Sequence, residues 1–186
     1  MRTRGEKPMK IQTSRFGVVQ ITSEDLLDFP EGLLGFASLR KFVLLDEPSD
    51  DVFAWLQSAE EPTVAFPVLE PELFVSNYNV QLTKHDLDSL KLPVGEIFRT
   101  FVIITIPQDP TLMTANLKAP IIINVSRRLA RQCVLQDNQL AIREPIFNKL
   151  QQRVVQFPQT PIKSQSVDNN LPMRRAPVRS PEQSPE

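Results

Sequence analysis

The sequence predicts a mostly β protein, namely a small, antiparallel, barrel-like single domain with one or two short helices and a disordered C-terminal tail. A length of 186 residues suits one domain with one hydrophobic core. Short runs of β-forming residues alternate with turn clusters that contain Pro, Gly, Asp and Glu. Residues 158–186 contain six prolines and no aromatic residue, a composition that is typical of disorder.

These observations divide the chain into three parts. Residues 1–8 are predicted to be a flexible leader, and Met9 is an alternative start. Residues 9–157 form the barrel-like domain. Residues 158–186 form the Pro-rich tail. We find no internal repeat and no heptad pattern, which excludes solenoids and coiled coils.

The first half of the domain is predicted to contain only strands. Ile11–Thr13 and Val18–Thr22 flank Gly17 and form a hairpin. The segment from Asp28 to Phe36 combines one proline and two glycines with large apolar side chains, which predicts a structured bend. Three further strands follow, at Phe42–Leu45, Phe53–Gln57 and Val64–Leu69.

The second half is predicted to contain the helices. Thr83 is placed to cap a helix, because an acid lies three residues later at Asp86, and this helix ends before Pro93. Apolar residues after Pro145 recur at helical spacing and predict a second, short helix. Three further strands are predicted at Arg99–Ile106, Ala119–Val125 and Gln132–Leu135.

Composition and charge limit the classes of function. The longest apolar runs are much shorter than the roughly 20 residues of a membrane-spanning helix, and we expect no membrane contact. The net charge of −1 and the pI of about 5.9 argue against a broad nucleic-acid surface. The basic residues Arg127, Arg128 and Arg131 are interpreted as a solvated turn.

The usual constellations of catalysis are missing from the sequence. His85 is the only histidine, and it falls in the first turn of a predicted exposed helix. Cys133 is the only cysteine, and it falls in an alternating strand without an obvious basic partner. The chain has only five glycines and no phosphate-binding loop motif. We therefore predict a binding module, not an enzyme, with no cofactor and no metal.

Several segments together resemble the flagellar assembly factor family FliW. Phe29-Pro30-Glu31-Gly32-Leu33-Leu34-Gly35-Phe36 is similar to the family's characteristic bend, and Met113 to Asn124 is similar to a later segment. Three shorter segments resemble the family in the same order: Met9-Lys10-Ile11 with Arg15-Phe16-Gly17, Phe42-Val43-Leu44-Leu45, and Trp55-Leu56-Gln57-Ser58. The chain departs from the family pattern at Glu144, where a histidine is usual, and in continuing for about forty residues beyond it.

The resemblance implies a cytoplasmic adaptor with two protein partners. Such a protein binds flagellin and, when free of flagellin, binds the translational regulator CsrA and relieves repression of flagellin messenger RNA. It implies no cofactor, no direct contact with nucleic acid and no membrane contact, and we expect a monomer. Two alternatives remain open: a nucleic-acid module of the OB type, with a basic groove and stacked aromatics, and an enzyme with a dispersed site.

The candidate partner contacts lie in three segments of the sequence. Glycine and proline geometry alone could explain the residues of the bend, and Gln57 with Ser58 could be exposed contacts or simply a turn. The asparagines could instead satisfy backbone groups. The predicted contact set is Pro30, Gly32, Gly35, Phe36, Gln57, Ser58, Asn116 and Asn124.

Overall fold

The structure of the chain is a computed structural model that describes residues 7–158 and 174–175. Its strands are β1 Met9–Thr13, β2 Gly17–Ile21, β3 Leu26–Asp28, β4 Lys41–Asp46, β5 Ala54–Ser58, β6 Ala65–Leu69, β7 Arg99–Thr105, β8 Thr114–Ala115, β9 Ile121–Asn124, β10 Leu129–Gln132, β11 Glu144–Pro145 and β12 Arg174–Arg175. The helices are α1 Lys84–Ser89 and α2 Phe147–Gln156. Neither helix is long and apolar enough to cross a membrane.

Seven of these strands close into a barrel. They follow one another in the order β7-β6-β5-β4-β3-β10-β9, and β9 then pairs back with β7 through Arg99 opposite Ile123 and Phe101 opposite Ile121. All of these pairings are antiparallel except that of β3 with β10, which is a single parallel pair between Asp28 and Leu129. The predicted mostly β, barrel-like fold is confirmed.

Alternate residues of each strand fill the barrel. On β4, Phe42 and Leu44 point inward, whereas Val43 and Leu45 belong to a separate cluster on the outer face. The inward-facing side chains are closely packed. For example, the rings of Phe29 and Phe42 are in edge-to-face contact, with their centroids 4.9 Å apart. Its buried members are Leu27, Phe29, Leu33, Phe42, Leu44, Ala54, Leu56, Val68, Phe101, Ile121, Ile123 and Ala130.

Three units cover the outer face of the barrel. The β1–β2 hairpin packs Phe16 and its neighbours against Val43, Leu45 and Trp55. The segment that contains α1 packs Leu90 and Leu92 against Ile122 and Cys133, while α2 and β8 cover Val102 and Ile104. Strands that are covered on both faces are apolar throughout, which explains the uninterrupted runs in β4 and β9.

Most of the predicted elements are present. The hairpin forms, and α1 begins with the expected capping box, in which Thr83 Oγ1 accepts from Asp86 N at 3.2 Å and Asp86 Oδ2 accepts from Thr83 N at 2.9 Å. The strand predicted at Gln132–Leu135 is displaced. Strand β10 instead starts at Leu129, because Arg128 takes a left-handed conformation with φ of 53° and turns the chain directly into the ladder with β9.

The two ends of the chain are described only in part. Lys7 and Pro8 of the predicted leader have no regular secondary structure, and residues 1–6 lie outside the described residues. Within the predicted tail, Arg174–Arg175 forms β12 and pairs in parallel with β4. Residues 159–173 and 176–186 lie outside the described residues.

Candidate partner-binding surface

The bend after β3 turns side chains alternately into the barrel and out of it. Phe29 is fully buried beneath the bend and Leu33 is 2% exposed, whereas Leu34 is 60% and Phe36 is 36% exposed. Backbone hydrogen bonds from Gly32 N to Phe29 O at 2.9 Å and from Phe36 N to Leu33 O at 2.8 Å fix the turns. The buried residues therefore anchor the segment while two large apolar side chains face solvent.

Two glycines make this path possible. Gly32 has φ of 65° and Gly35 has φ of 84°, a region that side-chain-bearing residues rarely adopt. A Cβ at Gly32 would also lie 2.6 Å from Phe36 O, whereas a Cβ at Gly35 would meet nothing within 4 Å. Gly32 is therefore needed both for its positive φ and because there is no space for a Cβ atom. Gly35 is needed only for its positive φ.

An ion network joins the bend to α1 and β10. Arg131 forms an ion pair with Glu31 of the bend, and its Nε donates to Asp86 Oδ1 at 2.9 Å. Glu31 Oε1 lies 3.4 Å from His85 Nε2 and accepts from Ser89 Oγ at 3.3 Å. One guanidinium group therefore connects three segments that are far apart in the sequence.

This network lowers the pKa of both carboxyl groups. The side-chain hydrogen bond from Arg131 is the main reason that the pKa of Glu31 lies below its usual value of 4.5. Burial alone would raise the pKa of Asp86, but hydrogen bonds from Thr83 and Arg131 outweigh it and bring the pKa below 3.8. The same contacts raise the pKa of Arg131. All three groups are charged at neutral pH, and Arg131 offsets part of the negative charge.

A shallow groove of about 390 Å³ runs between the bend, α1 and β10. Its floor contains the ion network, and its rim carries the exposed apolar side chains of Leu34 and Val134. Leu34 N donates to Gln132 Oε1 at 3.0 Å across the groove, which ties the bend to β10. Phe36 extends the apolar rim toward β6. Its ring packs edge-to-face on the ring of Phe66, with the two centroids 5.3 Å apart. The arrangement offers an apolar rim above a charged floor.

The structure brings only part of the predicted contact set together. Pro30, Gly35 and Phe36 are exposed on the bend, and Gly32 is buried within it. Asn116 is half-buried in the turn between β8 and β9, where its Oδ1 accepts from Ala119 N at 3.1 Å. The bend is therefore the part of the prediction that forms a continuous surface.

Three predicted contact residues are not exposed. Gln57 and Ser58 are each 0% exposed and Asn124 is 1% exposed, so the expectation that they present polar groups to solvent is wrong. Gln57 Nε2 donates to Val64 O at 3.1 Å, and Ser58 Oγ accepts from Glu61 N at 2.9 Å, which holds the turn between β5 and β6.

Asn124 joins two elements of the fold. Its Nδ2 donates to Leu90 O at 2.9 Å at the end of α1, and its Oδ1 accepts from Ser126 Oγ at 2.9 Å. These bonds satisfy buried backbone and side-chain groups, as polar residues inside a protein must.

Sequence reasoning missed the residues that organise the groove. Arg131 was interpreted as part of a solvated turn, yet its side chain is only 16% exposed and holds Glu31 and Asp86. Gln132 and Val134 also carry no sequence signal of their own. Only the strand alternation around Cys133, which is fully buried, indicates that its neighbours Gln132 and Val134 face the other way.

The Cys133 thiol and the potential metal-binding side chains were the chemically reactive groups that the sequence offered. Burial raises the pKa of the Cys133 thiol to about 12, so the group stays protonated and is a poor nucleophile. Within residues 7–158 and 174–175, no cluster of His, Cys, Asp and Glu could hold a metal ion.

Comparison with known proteins gives a consistent result. A family model described as "FliW protein" matches residues 10–146. A flagellar assembly factor FliW of Bdellovibrio bacteriovorus is 62% identical over 174 residues, which is 94% of this chain and 99% of that protein. A flagellar assembly factor FliW of Leptospira interrogans is 41% identical over 142 residues, 75% of this chain and 93% of that protein.

A solved structure agrees with the sequence matches. The crystal structure of a flagellar assembly factor FliW superposes with a TM-score of 0.68 at 32% sequence identity. It covers 75% of this chain and 97% of the other. The match to the Bdellovibrio protein is long enough to include part of the segment beyond residue 146, whereas the matches to the Leptospira protein and to the solved structure each cover 75% of this chain.

Substituting each glycine of the bend by alanine tests the steric requirement. We expect Gly35→Ala to lower the free energy of unfolding by about 1 kcal/mol, the usual cost of a left-handed alanine. Gly32→Ala should cost clearly more, because its Cβ would overlap the backbone at Phe36 and Ala37. Urea denaturation of the two variants measures the difference. Equal losses at both positions would contradict the account of the bend.

Replacing Arg131 by methionine tests the ion network. Glu31 and Asp86 have lowered pKa values in the folded chain, so they stabilise it above about pH 4.5 and lose this contribution as the pH falls through the folded values. The stability gap between the parent chain and Arg131→Met should therefore be widest above pH 4.5 and narrow in more acid solution. Urea denaturation as a function of pH measures the gap.

The exposed Arg143 supplies the control for this experiment. Arg143→Met removes a positive charge at a site outside the groove. The free energy of unfolding of this variant should differ little from that of the parent chain at every pH. A gap for Arg131→Met that did not change between neutral and acid pH would show that the network does not stabilise the ionised carboxylates.

Proposed function

The chain belongs to the FliW family of flagellar assembly factors, and on that premise we propose that it is a cytoplasmic adaptor for two proteins. It binds flagellin, and in its free form it binds the translational regulator CsrA and relieves repression of flagellin messenger RNA. It acts as a monomer through its surface, without a cofactor and without catalysing a reaction.

The observation that carries this proposal is the exposed apolar rim on a rigid bend. Leu34 and Phe36 face solvent, although their backbone is fixed by Gly32, by the buried Phe29 and by the bond from Leu34 to Gln132. Large apolar side chains on a fixed backbone lose little conformational entropy on binding, and they are typical centres of protein interfaces. Beside these apolar side chains, the ion network of Arg131, Glu31 and Asp86 provides charged groups at the edge of the contact.

We propose that the contact surface consists of the exposed face of the bend together with the end of β10 and the residues that directly follow it. From the residues predicted by sequence it retains Pro30, Gly35 and Phe36, and it adds Leu34 and Val134. Gly32 contributes by shaping the backbone. Gln57, Ser58 and Asn124 contribute only through the fold, because they are buried. Asn116 lies in a separate turn and could take part in a second contact.

The way in which the adaptor antagonises the regulator follows from charge and size. An adaptor beside an RNA-binding surface can exclude RNA by adding negative charge or by adding bulk. In the groove, Arg131 already offsets the charges of Glu31 and Asp86. Exclusion by bulk is therefore the mechanism that this surface favours.

The alternative of an OB-type nucleic-acid module gains no support. Such modules stack bases on aromatic side chains of an exposed barrel face that lies within a basic groove. Here Phe42 and Phe101 lie inside the barrel, and the outer faces of β4 and β9 are covered. The groove beside the bend is lined by Glu31 and Asp86 as well as by Arg131.

A double substitution in the bend tests the contact surface. Leu34→Asp with Phe36→Asp places two charges on the rim, and we expect it to weaken binding to at least one of flagellin and CsrA by ten-fold or more, because buried charge opposes association. Calorimetric titration of the purified full chain with each partner measures the affinities. The matched control is Val155→Asp on α2, where the side chain is 80% exposed, and its affinities should equal those of the parent.

The outcomes separate the function from the site. A parent chain that forms no complex with flagellin or with CsrA would contradict the proposed function. A parent chain that binds both, combined with a double variant that binds both equally well, would contradict only the placement of the contact on the bend.

A competition experiment tests the mechanism. We expect the adaptor to release a labelled flagellin leader RNA from CsrA, and added flagellin to restore RNA binding, because flagellin removes the free adaptor. Fluorescence anisotropy of the RNA follows both steps. A stable ternary mixture, in which CsrA holds the adaptor and all of the RNA together, would contradict exclusion of RNA.

A further inference from the structure

The ladder between β9 and β10 continues past the end of β10. Cys133 N donates to Pro120 O at 2.9 Å, and Leu135 N donates to Lys118 O at 2.8 Å. Both bonds keep the antiparallel register of the β9–β10 pairing. Residues 133–136, called the edge segment below, therefore prolong β10 as extended chain.

The other side of the edge segment is open. Backbone groups of successive residues point to opposite sides of an antiparallel strand. Since the odd-numbered residues bond toward the chain before β9, the backbone groups of Val134 and Gln136 point away from it. Strand β3 lies on this second side, where Arg128 O accepts from Asp28 N at 2.8 Å. Within the described residues, the backbone N–H and C=O groups of Val134 and Gln136 form no hydrogen bond.

Two shallow grooves lie along the edge segment. The first is the groove beside the bend, whose lining includes Val134 and Gln136. The second, of about 490 Å³, is lined by Gln136 and by residues 79 and 81–83. Across the part of the chain that the structure describes, the backbone of residues 79–82 also forms no hydrogen bond. An extended segment placed in these grooves therefore meets unpaired backbone groups from two parts of the chain.

The sequence does not protect this edge. Strand edges that meet no partner usually carry lysine or proline, contain a bulge, or are covered by another element. Residues 132–137 read Gln-Cys-Val-Leu-Gln-Asp, with neither lysine nor proline. Val134 is 49% exposed and Gln136 is also exposed, so both positions are open to solvent.

The lining of the two grooves has a negative formal charge at neutral pH. Its ionised groups are the carboxylates of Glu31, Asp86 and Asp137 and the guanidinium group of Arg131. Lys118 Nζ donates to the backbone oxygen of Asp137 at 2.6 Å and offsets part of this charge. Complementary charge favours a segment with basic side chains over an acidic one.

We propose that a protein partner adds an extended, basic segment to the open side of the edge segment as a further β-strand. The added strand bonds to the backbone of Val134 and Gln136 and runs beside the apolar rim of the bend. In strand addition the main-chain hydrogen bonds supply affinity, and the side chains supply specificity. This mode of binding rests on the proposed function, because it describes how one of the two protein partners is held.

Replacing Gln136 by proline tests the added strand. Gln136→Pro and Gln136→Ala remove the same side chain, but only proline removes the N–H group. We expect Gln136→Pro to bind at least one of flagellin and CsrA about ten-fold more weakly than Gln136→Ala does, because a carbonyl group of the added strand loses its donor. Calorimetric titration of the full chain measures both affinities. Equal affinities of the two variants for both partners would overturn the proposal.

The neighbouring position supplies the control for folding. Leu135 N is bonded to Lys118 O, so Leu135→Pro breaks the ladder, whereas Gln136→Pro breaks no bond within the described residues. Urea denaturation should therefore show a clearly larger loss of stability for Leu135→Pro. An equal loss for Gln136→Pro would show that its amide is not free and would also overturn the proposal.

Replacing Asp137 by asparagine tests the charge of the added segment. We expect Asp137→Asn to weaken binding of the same partner about two- to five-fold, the effect of one exposed ion pair. Asp51→Asn removes an exposed carboxylate outside the grooves, and its affinity should equal that of the parent. An affinity of Asp137→Asn equal to or above that of the parent would contradict a basic segment.

The possible failures are distinguishable. A parent chain that binds neither flagellin nor CsrA would contradict the proposed function. A parent chain that binds them, combined with equal affinities of Gln136→Pro and Gln136→Ala, would contradict only the added strand. Light scattering shows whether the occupant is a second copy of this chain. Dimerisation of the parent that Gln136→Pro abolishes would assign the edge to that copy and overturn its assignment to a partner protein.

Discussion

Pairing of β7 with β9 closes the barrel, and the other elements are arranged around this closed barrel. Once Arg99–Phe101 pairs with Ile121–Ile123, the inward side chains of seven strands have to share one small interior. They fill it with Phe, Leu, Ile, Val and Ala. The outward side chains are apolar as well, so the hairpin, the α1 segment and α2 must cover them. What remains for contact with other molecules is the set of loops and edges.

The short β3 strand determines where the chain leaves the barrel and forms the bend. The chain leaves the ladder after Asp28 because Phe29 turns inward to fill the barrel, and the glycines then bring it back out as the bend. That departure presents Leu34 and Phe36 to solvent. Beyond the end of β3, β4 pairs with β12 at Leu45 and Asp46. The short β3 strand thus produces the exposed side-chain surface of the bend.

The sequence was informative wherever local physics decides the outcome. The capping box at Thr83, the hairpin around Gly17 and the alternation of β-forming residues each depend on neighbours within a few positions, and each predicted its element. The resemblance located the bend correctly. Gln57, Ser58 and Asn124 could not be assigned in the same way, because a polar residue at a strand end looks the same whether it faces solvent or satisfies buried backbone groups. Arg131 could not be recognised because its partners, Glu31 and Asp86, lie 100 and 45 positions away in the sequence.

We propose that the bend, held rigid by the closed barrel, is the surface that a protein partner contacts. Hydrogen exchange of the full chain, followed for every segment in the presence and absence of saturating flagellin, measures this contact. We expect slower exchange across residues 31–39 and at the facing end of β10. Unchanged exchange in both segments, with slowing confined to another part of the chain, would contradict it.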